Sequence, residues 1–519
     1  MINLTSFTAI SGTALIATQI LSMYLKNKVK VDKKANAKLC NFLEAKEFIG
    51  ENGLIISKSI QLKEKIDYEG CCIIAPTGSG KTTSFFYTNL LSNNIKGSIV
   101  VIDPKGELYR DTSNFQKNIC GRNIVRFSPL EPNLSERYNL LQECTSTTEV
   151  CQLAFNLLLN GSLSVELATG KKTSGVEWLQ MAEPLLAAAL LYVKDLGEPY
   201  STIENAFNLI INLTTKELKK LLGENENRDI KTQFKIFEAA GGSDRTIGSI
   251  KVTLTSNLKL FTDKNVNLVT AKTTFKAKEL REKPTIVYIT FPERKSIYLA
   301  PLIAPFFTQF IDKLLDNFND KSLPIHFMLD EFANIGMVNN FNIHVATVRS
   351  RKISLSICLQ SISQLEGVYG KDIAQSILNN LKTKIILPSL ADINTLKYIS
   401  DLVGTTEINT INKTVSKNTT TISYSTTTKK LLNLEDIRCL DKESLLIVMQ
   451  NKNAIKDLQE IYYKSSMYLD KVVKTKDIIK YKNTDTDVEK FEKILKRKIK
   501  KMRMKEVEQA KDLGAEIFK

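Results

Sequence analysis

The sequence predicts an α/β protein with a mostly parallel sheet, interrupted by a long all-helical insertion. Three observations carry this. Apolar runs without polar alternation recur near residues 71–74, 98–102, 285–290, 325–329 and 353–359, as in strands covered on both faces. Stretches of helical spacing lie between them. From about 142 to 280 no convincing strand occurs, while Val150, Leu153, Ala154, Leu157 and Leu158, then the run 185–193, follow helical or continuous apolar patterns.

Length and charge set the outer bounds. At 519 residues the chain holds two to four domains, each with its own core. Its net charge of +16 and pI near 9.2 suit a polyanionic partner, nucleic acid or an anionic membrane surface, although such lysines can also merely solvate a protein. The eight cysteines form no C-x-x-C pair, and with two histidines, His326 and His344, they make no zinc framework. That usage places the chain in a reducing compartment.

Residues 1–25 carry no charge and are followed at once by Lys26, Lys28, Lys30, Lys33, Lys34 and Lys38. The segment is long enough to span a bilayer with the lysines on the cytoplasmic side. A cleaved signal peptide fits less well, because the leading end is not basic. A peripheral amphipathic helix stays open. The anchor is therefore expected at 1–25, and a nucleotide-binding domain at 26–141.

Within that domain, Cys71-Cys72-Ile73-Ile74 runs into Ala75-Pro76-Thr77-Gly78-Ser79-Gly80-Lys81-Thr82. A strand, a glycine-rich turn and a Lys-Thr helix start form a phosphate-binding loop: backbone N–H groups and the helix N-terminus face phosphate oxygens. Lys81 is expected to reach the β- and γ-phosphates of ATP, and the Thr82 hydroxyl to sit on Mg²⁺. Ala75 stands where the pattern has glycine, which requires a negative φ there. The alternative is a turn that binds nothing. A second buried strand then ends in the polar turn Asp103-Pro104-Lys105-Gly106-Glu107, and a third spans 123–127.

The insertion, 142–280, is expected to hold Trp178, the single tryptophan, as a core anchor rather than a base-stacking residue. The sheet resumes at 285–290 and continues to about 465. The nearly charge-free stretch 297–311 is short for a membrane span and contains Pro301 and Pro305, so it reads as a buried helix. The strand ending at Leu329 delivers Asp330 and Glu331 where parallel sheets bind ligands. Asp330 is expected to hold Mg²⁺ and Glu331 to polarise the attacking water; capping the next helix is the alternative. Gln360, at the tip of the strand 353–359, suits a sensor of the γ-phosphate or of its attacking water. Arg349 and Arg351, just before that strand, are candidates for an arginine finger acting across a subunit boundary, against a plain surface role.

Residues 405–429, with ten threonines in 25 positions, read as a surface loop or hairpin, and 444–449 as the last strand. In the tail, 466–519, Val488, Phe491, Leu495, Ile499 and Met502 make a helical stripe beside the cations Lys496, Arg497, Lys498, Lys500, Lys501, Arg503 and Lys505. A solvated helix is the ordinary reading; a docking surface for an acidic partner, DNA or lipid is the sharper one.

Taken together, 75–81, Val101-Ile102-Asp103-Pro104-Lys105-Gly106-Glu107-Leu108, Arg137-Tyr138-Asn139-Leu140, Leu329-Asp330-Glu331-Phe332-Ala333-Asn334-Ile335-Gly336, Ala346-Thr347-Val348-Arg349-Ser350-Arg351 and Gln360-Ser361-Ile362-Ser363-Gln364-Leu365 resemble the TraG/TraD-type coupling proteins of type IV secretion and conjugation, RecA-like P-loop ATPases of the FtsK/HerA group. The likeness spans roughly residues 38–465. It implies a RecA-like nucleotide domain (26–141 and 281–465), a homo-hexameric ring at the inner membrane face, and ATP-driven movement of single-stranded DNA with its bound relaxase toward channel proteins. It places Arg349 on the proposed finger and Gln360 on the sensor glutamine. Members usually carry two membrane helices, whereas this sequence offers one candidate. A motor for protein effectors without DNA, or a non-hydrolysing membrane scaffold, are the competing functions.

Overall fold

The computed structural model describes residues 37–40, 42–172, 175–416, 419–477, 479–481, 490–501 and 504. The expected membrane segment 1–25, and Val488 and Met502 of the tail stripe, lie outside the described residues. The chain divides into two compact units, one comprising residues 39–399 and 434 onward, the other residues 400–433 with the segment before 39.

The larger unit is built on a nine-stranded sheet. In chain order its strands are β1 (Cys71–Ile74), β2 (Ser98–Asp103), β3 (Asn123–Phe127), β4 (Thr285–Thr290), β5 (Ile325–Leu329), β6 (Ile353–Leu359), β7 (Thr383–Ile386), β8 (Ser444–Met449) and β9 (Ile455–Leu458). Their spatial order is β9-β8-β7-β1-β6-β5-β2-β4-β3. From β7 to β3 every pairing is parallel, and β8 and β9 join antiparallel at one edge. Strands β1, β2 and β4 to β8 are buried along their whole length, which is why their sequences lack alternation. The sheet holds two strands beyond those expected: β7, Thr-Lys-Ile-Ile, whose apolar run Lys384 interrupts, and β9, Ile-Lys-Asp-Leu, which buries only its first residue fully, so charged positions hid both.

Glycine decides the register at one point that matters. Gly97 has φ +76°, and a Cβ there would stand 2.2 Å from the Pro324 carbonyl oxygen. That carbonyl accepts the Ser98 N–H at 2.9 Å and sets β2 against β5, the strand that delivers Asp330.

No strand interrupts the described residues between β3 and β4. Helices α1 (Thr147–Thr169) and α2 (Val176–Asp195) are long and apolar enough to cross a membrane, but half and two-thirds of their apolar windows are buried in the protein. They are core helices. α2 packs with α3 (Arg228–Gly241) and α4 (Asp244–Asn257), and α1 packs on α5 (Ser296–Asp316), the predicted buried helix with both prolines inside it. Trp178 is not a core anchor. It lies half-buried in the first turn of α2, ahead of the apolar run, and neighbouring Leu179 takes the inward position. Tyr138 fills the seam instead, with its ring centroid 4.9 Å from that of Phe306 on α5. Asn139 accepts the N–H groups of Leu141 and Gln142 and donates to the Ser201 carbonyl at 2.8 Å. Asn160 of α1 accepts the Met337 N–H at 2.8 Å and donates to the Met337 carbonyl at 3.1 Å.

The tail helix is not left in solvent. Phe491 and Leu495 are buried, with the Phe491 ring 6.3 Å from Tyr200 and the Lys498 ammonium 2.9 Å from the Tyr192 hydroxyl. Lys496, Arg497, Lys500 and Lys501 remain exposed. In the smaller unit, the threonine-rich segment is a long hairpin, Thr405–Ser416 against Thr419–Lys430.

Gly97→Ala should lower stability by about 2–4 kcal/mol, through the left-handed φ and the clash with Pro324. Thermal melting checks this; an unchanged midpoint would mean the β2–β5 start is slack.

Candidate functional site

The loop after β1 forms as its residue types require. Ala75 extends the ladder by donating its N–H to the Leu359 carbonyl at 2.8 Å, and it keeps a negative φ, so a methyl group is tolerated at that position. Gly78 (φ +81°) and Gly80 (φ +97°) make the left-handed bends. A side chain at Gly80 would also strike Gln459, whose Oε1 lies 2.6 Å from the ideal Cβ position. Thr82 opens a π-helical turn, Thr82–Phe86, where the Thr83 and Ser84 hydroxyls both donate to the Gly80 carbonyl at 2.9 Å. Pro76, Thr77 and Ser79 complete the loop, and the Ser79 hydroxyl is buried without a hydrogen-bond partner.

Strand β5 brings the acidic pair to the same end of the sheet. Asp330 Oδ1 lies 2.9 Å from Lys81 Nζ and accepts the Glu331 N–H at 2.9 Å. Glu331 Oε1 bonds the same ammonium, so one lysine is held between two carboxylates. Glu331 is a non-glycine residue with φ +51°, a conformation that costs on the order of 1–3 kcal/mol and persists only where the surroundings enforce it. Gln360, at the tip of β6 between β1 and β5, donates to Glu331 Oε2 at 2.9 Å, and Asn334 reaches the same oxygen at 3.4 Å.

The charges follow from burial and pairing. Burial alone would lower the Lys81 pKa, but Asp330 and Glu331 outweigh it and hold the ammonium protonated. Burial raises the Asp330 pKa, and Lys81 pulls it back. Asp103, at the end of β2, is pushed up to about 6 by burial, opposed by the N–H groups of Tyr109 (2.8 Å) and Leu108.

These groups line a cavity of ≈ 370 Å³ that includes Thr77, Lys81, Thr82, Asp103, Asp330 and Glu331. Its composition fits a phosphorylated ligand with a hard divalent cation. The loop and Lys81 supply positive potential, while the Thr82 hydroxyl and the Asp330 carboxylate supply the oxygen donors such an ion requires.

Arg349 is not part of this cavity. Its guanidinium, with the side chain 62% exposed, lies 2.8 Å from Glu69 Oε1. Glu69 precedes the first residues of β1, and Arg349 precedes those of β6, so both lie at the end of the parallel strands opposite the phosphate loop. Seven residues of β6 span roughly 23 Å. Sequence reasoning assigned no role to Asn334, Glu293, Gln459 or Tyr463, although Glu293 and Tyr463 line the cavity and Gln459 abuts its loop. Only Asn334, three residues after Glu331, had a signal to be found.

The chain matches the family described as type IV secretory system conjugative DNA transfer over residues 25–487. VirD4 of Rhizobium rhizogenes is 28% identical over 410 residues, which cover 76% of this chain and 58% of that protein. An Escherichia coli conjugal transfer protein TraG is 27% identical over 359 residues, 64% of this chain and 55% of its own length. The chain thus spans under two-thirds of these curated relatives. Among solved structures, the bacterial conjugative coupling protein TrwB superposes with a TM-score of 0.64 at 17% identity, covering 87% of this chain and 95% of TrwB. TrwB has been solved with the ATP analogue ADPNP and with ADP and Mg²⁺. The likeness to TrwB confirms the predicted α/β fold. By the extent of the family match, the chain belongs to the type IV secretory system conjugative DNA transfer family.

Proposed function

We propose that this chain is a membrane-anchored ATPase that couples hydrolysis to delivery of DNA, as a relaxase-bound single strand, into a type IV secretion channel. The observation that carries this reading is Lys81 of the phosphate loop clasped by Asp330 and Glu331 across one sheet. A scaffold that only recruited cargo would have no use for that triad. The net charge of +16 favours DNA over protein effectors as cargo.

In this reading the loop 75–82 cradles the triphosphate, and Lys81 shifts from the carboxylates to the β- and γ-phosphate oxygens. Thr82 and Asp330 hold Mg²⁺, which supplies neutralisation of phosphate charge. Glu331 accepts a hydrogen bond from the attacking water, and Gln360 fixes that carboxylate and senses the γ-phosphate. Because Arg349 sits at the far end of the strands, it serves the site of the next subunit in a homo-hexameric ring. Residues 1–25 anchor the ring in the membrane with its ATPase part on the cytoplasmic side, and the helical stretch 142–280 forms a separate domain within the nucleotide-binding domain (26–141 and 281–465), ahead of the tail from 466.

Glu331→Gln should retain ATP binding and lose about 100-fold or more in turnover, and Lys81→Ala should lose both; normal turnover in either places hydrolysis elsewhere. Arg349→Ala should bind ATP normally yet hydrolyse poorly, and mixing it with Glu331→Gln should restore activity, since each supplies what the other lacks. No recovery on mixing would mean that Arg349 does not act in trans. ATPase assays with and without single- and double-stranded DNA test the motor itself: stimulation by DNA is expected, and indifference to both forms would favour protein cargo.

A further inference from the structure

The cavity has an aromatic wall that the phosphate chemistry does not use. Tyr463 is the one aromatic residue lining it among the described residues, and it is 51% exposed. It comes from the short turn Tyr462–Lys464, after the edge strand β9. One contact fixes this turn to the helix that follows the phosphate loop, and a second braces that helix against the helix Glu107–Asn118. The Tyr462 ring stacks on Tyr87 at 4.2 Å and 17°, and the Tyr87 hydroxyl donates to Asp111 Oδ2 at 2.7 Å. Tyr463 in turn stands edge-on to Tyr462, at 5.5 Å and 84°.

Just before the turn, Gln459 is anchored by its N–H to the Glu443 carbonyl (2.7 Å) and by Nε2 to the Lys442 carbonyl (2.8 Å). Its Oε1 is buried without a partner and pressed against Gly80. The segment therefore clamps the outside of the loop while leaving one large ring open to the cavity. An exposed aromatic on a rigid mount, beside a site for phosphates, suits a flat π-system carried by the same ligand.

The geometry points to Tyr463 as the platform on which the nucleobase of the bound nucleotide stacks, an affinity contact in the site proposed above and resting on that reading. Stacking engages the ring face, is tolerant of base identity, and leaves the phosphates untouched. It orders the nucleoside end while Lys81 orders the triphosphate end. The contact acts on binding and takes no part in the chemistry.

Inorganic tripolyphosphate, which has phosphates and no base, separates the two ends. Calorimetric titrations of the full chain in detergent, with ATP and with tripolyphosphate, should show Tyr463→Ala weakening ATP on the order of tenfold and tripolyphosphate not at all. Tyr463→Phe should bind ATP as the native chain does. Equal weakening of both ligands, or none of ATP, overturns the platform, as does a Phe variant as weak as Ala. Lys81→Ala is the separate control. If it keeps both ligands, the phosphate site itself is wrong; if it loses both while Tyr463→Ala keeps ATP, only the platform falls.

Discussion

One ammonium group shared by two carboxylates organises this molecule. Lys81, Asp330 and Glu331 come from positions 250 residues apart and meet because β1 and β5 end at the same edge of one sheet. Placing two acids side by side in a largely buried position is unfavourable unless a cation lies between them. The lysine meets that need in this conformation. A polyphosphate with a divalent cation offers an equivalent exchange of partners, so the charge balance of the site is tied to what occupies it.

The strand order explains the third member. Strand β6 lies between β1 and β5, so the residue at its tip falls beside both. Gln360 bonds the very oxygen of Glu331 that Lys81 leaves free. Together with Asn334 and the left-handed backbone at Glu331, this leaves the carboxylate little rotational freedom. The ordering of this carboxylate is thus completed during folding.

What was legible in the sequence was whatever is local. The loop 75–82, the pair Asp330-Glu331 and Gln360 each announce themselves in a few consecutive residues flanked by an apolar strand. Most buried strands were readable because burial on both faces removes alternation; β7 was not, because Lys384 interrupts its short apolar run. Tyr463 and Gln459 were not, since their proximity to Gly80 depends on how β8 and β9 close the sheet edge. Strand β9 itself was missed because Lys456 and Asp457 mask it. Trp178 misled because rarity and size suggested a core, whereas its place in the first turn of α2 decided otherwise. Arg349 shows a further limit: its sequence position says nothing about which end of the strands it occupies, and only the fold reveals its pairing with Glu69.

The paired hydrogen bonds between Asn160 and Met337 have a mechanical meaning. A carboxamide that both accepts from and donates to one residue grips the main chain as a neighbouring strand would, and here that residue lies six positions past Glu331. Displacing α1 while leaving the acidic pair in place requires breaking both bonds, a cost on the order of 1–3 kcal/mol. Below that threshold, a push on the helical layer is transmitted as a tug on the segment that follows the acidic pair, making Asn160 a tether between α1 and the loop beyond β5.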